Sequence, residues 1–336
     1  MPKKILVIGG AGYVGSALVP KLLDQGHYVR VLDTFWFGQD VFGDFMVSRD
    51  YSWDKLDLVY GDIRKEDLNR EMENIDCVIH LACISNDPSF ELNPALGRSI
   101  NYDAFLRVID AAQKAKVKRF IFASSSSVYG VKREENVTED LALEPLTDYS
   151  KYKVFCEMEL RMIPVNKLPW VIIRPATVCG YAPRLRLDLI VNILTISALT
   201  KGKITVFGGS QKRPNIHIYD MTDLYVQLVE EDDEIIGRVF NAGGNNHTVM
   251  EIAQIVKETV EYILSGDIGI EVQPTNDLRS YSISSKKIYE IIGWMARRPI
   301  FEAVRSLAIA FLSGEILNPD DPKYSNIKMM QLLKIS

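Results

Sequence analysis

At 336 residues, 47% of them hydrophobic, the chain is long enough to bury a large core and to form one large or two closely joined domains. Its formal net charge of -5, with lysines and arginines spread along the whole length, provides no basic tract for a nucleic-acid backbone or an anionic membrane surface. The scattered Cys77, Cys83, Cys156 and Cys179 lack metal-ligand or redox-dithiol spacing, and no apolar run approaches the roughly 20 residues of a membrane span; reduced thiols, no metal and a cytoplasmic location are expected.

Short apolar runs alternate with longer amphipathic stretches through the first half. Residues 5–8, 28–32, 56–60, 77–81, 119–123 and 170–173 are rich in Val, Ile and Leu and read as strands buried on both faces. Residues 16–25, 66–72, 103–115 and 150–162 carry helical apolar spacing. Strict alternation predicts an α/β fold with a doubly wound parallel sheet. Beyond about residue 180 the rhythm loosens, with a helix over 187–199, a strand over 204–207, and then helices broken by short strands. No Gly/Ser or Pro-rich linker separates the halves. The expected division is therefore 1–175 and an interleaved 176–315, with 316–336 as a peripheral tail or helix.

Gly9, Gly12 and Gly15 follow the first strand at once and open the first helix. Such glycines permit a tight turn, close approach of backbone to a pyrophosphate, and close packing of helix on strand. Asp33 ends the second strand 18 residues after Gly15, where a carboxylate accepts ribose hydroxyls and repels a 2′-phosphate. Thr34, Phe35 and Trp36 add no cation to bind that phosphate, so the pattern predicts NAD rather than NADP.

Tyr149 and Lys153 stand four apart at the start of a predicted helix and project from one face. Bringing a phenol from about 10 to about 7 takes roughly 4 kcal/mol of phenolate stabilisation. A nearby ammonium and an oxidised nicotinamide ring could share that shift. Tyr and Lys at this spacing are common on exposed helices, but this pair follows Ser124, Ser125, Ser126 and Ser127, placed at the carboxyl end of the fifth strand, where a parallel sheet meets its ligand.

With these residues in hand, the sequence resembles the extended short-chain dehydrogenases, the NAD-dependent nucleotide-sugar epimerase and dehydratase group typified by UDP-galactose 4-epimerase. The resemblance covers about residues 3–312. It rests on GGAGYVG at 9–15, GDIR at 61–64, HLA at 80–82, Asn101, SSSSVYG at 124–130 and PLTDYSKYKVFCE at 145–157, and then on RPATVCG at 174–180, KRPNIHIYD at 212–220 and GW at 293–294.

The resemblance implies a Rossmann-type sheet with a smaller mixed α/β C-terminal domain for the nucleotide-sugar. Asp62 and Ile63 would bracket the adenine, Ala82 and Ser124 would line the nicotinamide side, and Asn101 would support the pocket. Tyr13, Val14, Leu81 and Pro175 complete the expected cofactor set. Tyr149 would be the base, Lys153 would bind the nicotinamide ribose and tune Tyr149, and Ser125 would hydrogen-bond the reacting sugar oxygen. A hydroxyl proton passes to Tyr149 as a hydride passes to NAD; an epimerase returns the hydride to the other face of the keto-sugar.

Dehydratases of this group carry an Asp and Glu pair where this chain has Ser126 and Ser127, and serine hydroxyls do not titrate near neutral pH. Epimerisation or simple oxidation is therefore expected over dehydration. Arg213 and Arg279 match positions that bind the substrate diphosphate, and Ser125, Ser126, Thr177 and Asn192 join the expected substrate set. Arg184 and Arg186 either add charge to that pocket or are exposed residues entering a helix. His217 reads as a structural histidine, with Asp220 capping the following helix.

Thr177, Cys179 and Ser284 stand where the family often has Asn, Tyr and Asp, which leaves the sugar and its UDP, GDP or dTDP carrier open. The segment at 180–192 is similar to that of surface-polysaccharide enzymes of the family, including oxidases acting at C4 of activated heptoses. The readings carried forward are an epimerase with tightly held NAD, a dehydrogenase or reductase that releases its product, and a non-catalytic NAD-binding regulator. A homodimer through helices 103–115 and 150–162 is the family's expectation.

Overall fold

The computed structural model describes residues 1–38, 40–43, 53–275 and 280–335. Along each strand of the main sheet, successive side chains enter different cores. Ile5 and Val7 join one cluster with Val29, Val31, Ile79, Ile121 and Val171, while Leu6 and Ile8 join the other with Leu32, Val78, Phe120, Phe122 and Ile172. Apolar residues at every position, rather than every second one, are what a sheet covered on both faces requires.

The strands are β1 (Lys4–Ile8), β2 (Tyr28–Asp33), β3 (Leu56–Tyr60), β4 (Cys77–His80), β5 (Arg119–Ala123), β6 (Trp170–Pro175) and β10 (Arg238–Ala242), in the spatial order β10-β6-β5-β4-β1-β2-β3. All neighbours pair in parallel. Six of the seven match predicted runs. The seventh, β10, comes from beyond residue 180, and its RVFNA sequence hides it because its inward Asn241 is polar.

Helix α1 (Tyr13–Asp24) lies between β1 and β2, α2 (Ala104–Ala115) precedes β5, and α3 (Asp148–Met162) precedes β6. The second half supplies β7 (Thr177–Cys179), α4 (Ile190–Lys201), β8 (Lys203–Phe207), β9 (Lys212–His217), α5 (Ile218–Glu230), β11 (Asn245–Thr248), α6 (Val249–Leu264), β12 (Gly269–Gln273) and α7 (Ile300–Leu312). Strands β11, β9 and β7 form a small sheet, and β12 pairs with β8. Helices α4, α6 and α7 enclose their own core around Val191, Ile252, Val256 and Val304.

The last helix, α8 (Asn326–Leu332), does not lie apart as a peripheral tail. Met330 packs into the sheet core, and the Asn326 amide donates to Ser85 O at 3.1 Å and Ser85 Oγ at 2.9 Å. Burying these groups satisfies polar atoms that would otherwise be stranded. No helix of the described residues is long and apolar enough to cross a membrane.

Candidate active site

The carboxyl ends of the parallel strands open on a cleft of about 550 Å³, roofed by the loop that follows β7, by β9 and by α8. Clefts at this end of such sheets, where the strand order reverses between β1 and β4, are where ligands bind.

One wall is backbone. Gly9 has φ +82, and a Cβ there would stand 2.5 Å from Ala82 N; a Cβ on Gly15 would stand 2.4 Å from Gly10 O. Gly12 caps α1 in extended conformation, with no side chain bonded to the helix amides and no acid in the first turn. Those amides are free to meet an anion. Asp33 is fixed by two loop amides, from Ala11 at 3.0 Å and Phe35 at 2.9 Å. Burial pushes its carboxyl up, and these bonds and the charge of Arg184 oppose the rise.

The remaining expected cofactor residues gather here. Tyr13, Val14, Asp62, Ile63, Leu81, Ala82, Ser124 and Pro175 all line the cleft. Arg64 grips Asp62 through Nε at 3.0 Å and Nη2 at 2.6 Å; burial alone would raise the Asp62 carboxyl, but these bonds hold it below its ordinary range. Asn101 acts from behind the lining: its side chain accepts from Ile84 N at 2.8 Å and donates to Ile84 O at 3.0 Å, which pins the segment bearing Cys83 and Ser85. An uncapped helix start, a glycine cradle and a buried ribose carboxylate together fit a dinucleotide.

Tyr149 and Lys153 rise from the first turns of α3. Thr147 fixes that helix start by accepting from Ser150 N at 3.3 Å while Ser150 Oγ accepts from Thr147 N at 3.2 Å. Tyr149 and Ser125 both line the cleft, and Ser125 acts on the phenol. Burial pushes the phenol well above its ordinary value, Cys83 and Asp87 push the same way, and Ser125 and the Arg186 charge pull it back. The lowered value expected from sequence is therefore absent from the chain by itself. Lys153 Nζ donates to Ala123 O at 2.6 Å and stands 5.9 Å from the Tyr149 ring centre. Ser125 Oγ lies 2.9 Å from Ser127 Oγ, and Ser126 Oγ lies 3.3 Å from Tyr281 Oη.

Behind this turn runs a buried network that sequence reasoning missed. Ser124 Oγ donates to Glu157 Oε1 at 2.5 Å, and Arg174 donates to the same carboxylate through Nε at 3.0 Å and Nη2 at 2.6 Å. Arg174 Nη1 then donates to Tyr129 Oη at 2.8 Å, which donates to Asn241 Oδ1 at 2.7 Å. An arginine inside the apolar strand 170–175 was the available signal, since a buried guanidinium demands a carboxylate.

The substrate side is only partly as expected. Thr177 and Arg213 line the cleft, and Arg213 Nη1 donates to Lys212 O at 3.1 Å. Arg279 lies outside the described residues. Arg184 and Arg186 are 5% and 7% exposed and line the cleft, which rules out two surface residues at a helix entry. Asn192 does not reach the cleft: its side chain accepts from Gly180 N at 3.0 Å and donates to Arg186 O at 2.7 Å, tying the arginine loop to α4. Asp220 is not the cap of α5. That role falls to His217 Nδ1, which accepts from Tyr219 N at 3.0 Å, while Asp220 accepts from Arg297 N and Arg298 N.

The NAD dependent epimerase/dehydratase family matches residues 5–243, a span that includes the glycine cradle, the serine turn, Tyr149, Lys153 and β10. The chain belongs to this family. Its members are NAD-dependent enzymes, and the cofactor of this chain is NAD. Over 316 residues it is 28% identical to UDP-glucose 4-epimerase from Lactobacillus helveticus, covering 87% of this chain and 91% of that one. It is also 28% identical over 328 residues to UDP-glucuronic acid decarboxylase 1 from Arabidopsis thaliana, covering 95% and 72%. The solved UDP-glucuronic acid 4-epimerase from Bacillus cereus, in complex with UDP-glucuronic acid and NAD, superposes with a TM-score of 0.80 at 25% identity, covering 92% of this chain and 99% of that one.

Proposed function

We propose that the chain is a 4-epimerase of a UDP-sugar, and the observation that carries this is Tyr149 gathered with Ser125 and Lys153 on the floor of the NAD cleft. In this reading Ser125 holds the C4 hydroxyl of the sugar and Tyr149 takes its proton. NAD, when bound, would supply the hydride acceptor and donor for the same carbon. The phenol is held high by burial, so a positive charge beside it would be needed to bring it into range as a base. Lys153, anchored on Ala123 O, stands 5.9 Å from the Tyr149 ring centre. Returning the proton from Tyr149 as the ketone is reduced completes a cycle with no net oxidation.

Relatives named as 4-epimerases support the substrate class, while the decarboxylase relative supports a second outcome that begins with the same C4 oxidation. Elimination of water is disfavoured because the turn offers Ser126 and Ser127 where it would need an acid and a base. The test is incubation of the purified protein with UDP-glucose, UDP-N-acetylglucosamine and UDP-glucuronic acid, followed by mass and nicotinamide absorbance. An isomer of unchanged mass without lasting NADH is expected; loss of carbon dioxide, loss of water or accumulating NADH overturns the epimerase. A homodimer through α2 and α3 is part of the proposal, supported by exposed Phe155, Met158 and Met162 on α3, and light scattering decides it.

A further inference from the structure

Among the described residues lining the cleft, four are cationic: Lys153, Arg184, Arg186 and Arg213. Arg184 and Arg186 leave one loop two residues apart. Arg186 Nε donates to Asp188 at 2.9 Å and Nη1 donates to Ser85 Oγ at 3.1 Å, and its charge is felt by Tyr149. Arg184 keeps different company. Its backbone N–H donates to Ser16 Oγ on α1 at 3.1 Å, its guanidinium lies 3.6 Å from the centre of the Phe37 ring, and the charge of Asp33 reaches it. Ser16, Phe37 and Asp33 all belong to the dinucleotide wall.

Two features make Arg184 more than packing. Its Nε is buried without a hydrogen-bond partner, a costly state for a guanidinium donor unless a ligand arrives. Its burial and the neighbouring Arg186 also lower its hold on its proton, to about 9, against the charges of Asp188 and Asp33. The anion that fits is one lying at the uncapped start of α1, where Gly12, Tyr13 and Val14 line the same cleft as Arg184. From the far side, Nη2 donates to Asn326 Oδ1 at 2.5 Å, and Asn326 is itself tied to Ser85 and, through its backbone N–H, to Asp188 Oδ2 at 3.1 Å.

We propose that Arg184 is a cofactor residue rather than the sugar-nucleotide residue expected from sequence: it closes on the diphosphate of NAD from the lid side, with Asn326 of the C-terminal helix holding it in place. The last helix thereby sets how long NAD stays bound. This rests on the NAD site described above but not on the choice between epimerase and decarboxylase.

The experiment compares the full-length protein with Arg184→Met and Asn326→Ala, using calorimetric titration with NAD alone and with UDP alone, and NAD retained after extended dialysis. Arg184→Met is expected to weaken NAD about 10- to 100-fold, the range for losing a charge-assisted hydrogen bond, with UDP affinity within about twofold. Asn326→Ala, at the start of a terminal helix and the milder change, is expected to speed NAD loss on dialysis severalfold. If NAD affinity and retention match wild type in the variants, or UDP affinity falls in place of NAD affinity, the assignment is overturned. Should Arg184→Met fail to fold, the Asn326→Ala retention decides the matter. Wild type that binds NAD yet epimerises nothing would refute the proposed function and leave this inference standing.

Discussion

The glycine loop and the arginine loop face each other across one cleft, yet only the first is built from neighbours in sequence. Gly9, Gly12, Gly15 and Asp33 lie within 25 residues, and their geometry follows from a strand, a turn and a helix start. Arg184 is held by Ser16, Phe37 and Asn326, up to 168 residues away in the chain. A wall made of backbone tolerates changes around it, because its contacts come from chain direction rather than from side chains. A wall of side chains depends on every distant partner. Helix α3 sits between these cases: its cap is local, but the network behind the serine turn crosses the sheet to β10.

The largest expected effect tests the local side. Tyr149→Phe removes the proposed proton acceptor without removing packing, and kcat should fall by a factor of about 10² to 10⁴ while NAD content per chain stays unchanged. Loss of NAD together with activity would show that the phenol serves the fold, and the separation between the two walls would fail.

Glu157→Gln tests the network. Arg174 is 1% exposed and would lose the carboxylate it is paired with, so unfolding free energy should drop by about 3–5 kcal/mol, read from urea denaturation. A drop within the range of a surface substitution would mean that Tyr129 and the Glu139 carbonyl suffice for the guanidinium.

This network marks where sequence reading stopped. Six strands of the main sheet, the cradle and the Tyr149 and Lys153 pair were legible because periodicity and spacing act over a few residues. Asn192 and the last helix were misplaced because nothing local says where a polar side chain will be spent. Asn192 is consumed by Gly180 and Arg186, and residues 316–336 read as a tail because Met330 and Asn326 find their partners in the first half. Asn241 is the converse case: a buried polar residue made β10 look unlike a strand.

A pH dependence probes both regions at once. Burial lowers His80, at the end of β4, to about 3, and lowers His217, the cap of α5, to about 4. Both folded values lie below the ordinary 6.5, so the unfolded chain binds protons more readily. Stability from these two groups is full above that value and is lost as pH falls toward the folded values, by about 1.4 kcal/mol per pH unit for each histidine. Urea midpoints measured from pH 7 to 5 should decline, and His80→Leu should reduce the slope by one histidine's share. An unchanged slope would mean that His80 opens to water before it charges.

The smallest expected effect bears on how finely a local cap governs chemistry. Thr147→Ala removes the acceptor for Ser150 N and the donor to Asp87 Oδ1 at 2.5 Å, at a cost of about 1 kcal/mol. Tyr149 is only the second residue of α3, so fraying of that first turn loosens the phenol from Ser125. A loss in kcat of several fold is therefore expected with little change in NAD affinity, because Lys153 lies a turn further in and stays bonded to Ala123 O. If kcat holds while the melting temperature drops, Ser125 alone positions the phenol, and the precision of the site comes from the serine turn across the sheet rather than from the helix that bears the base.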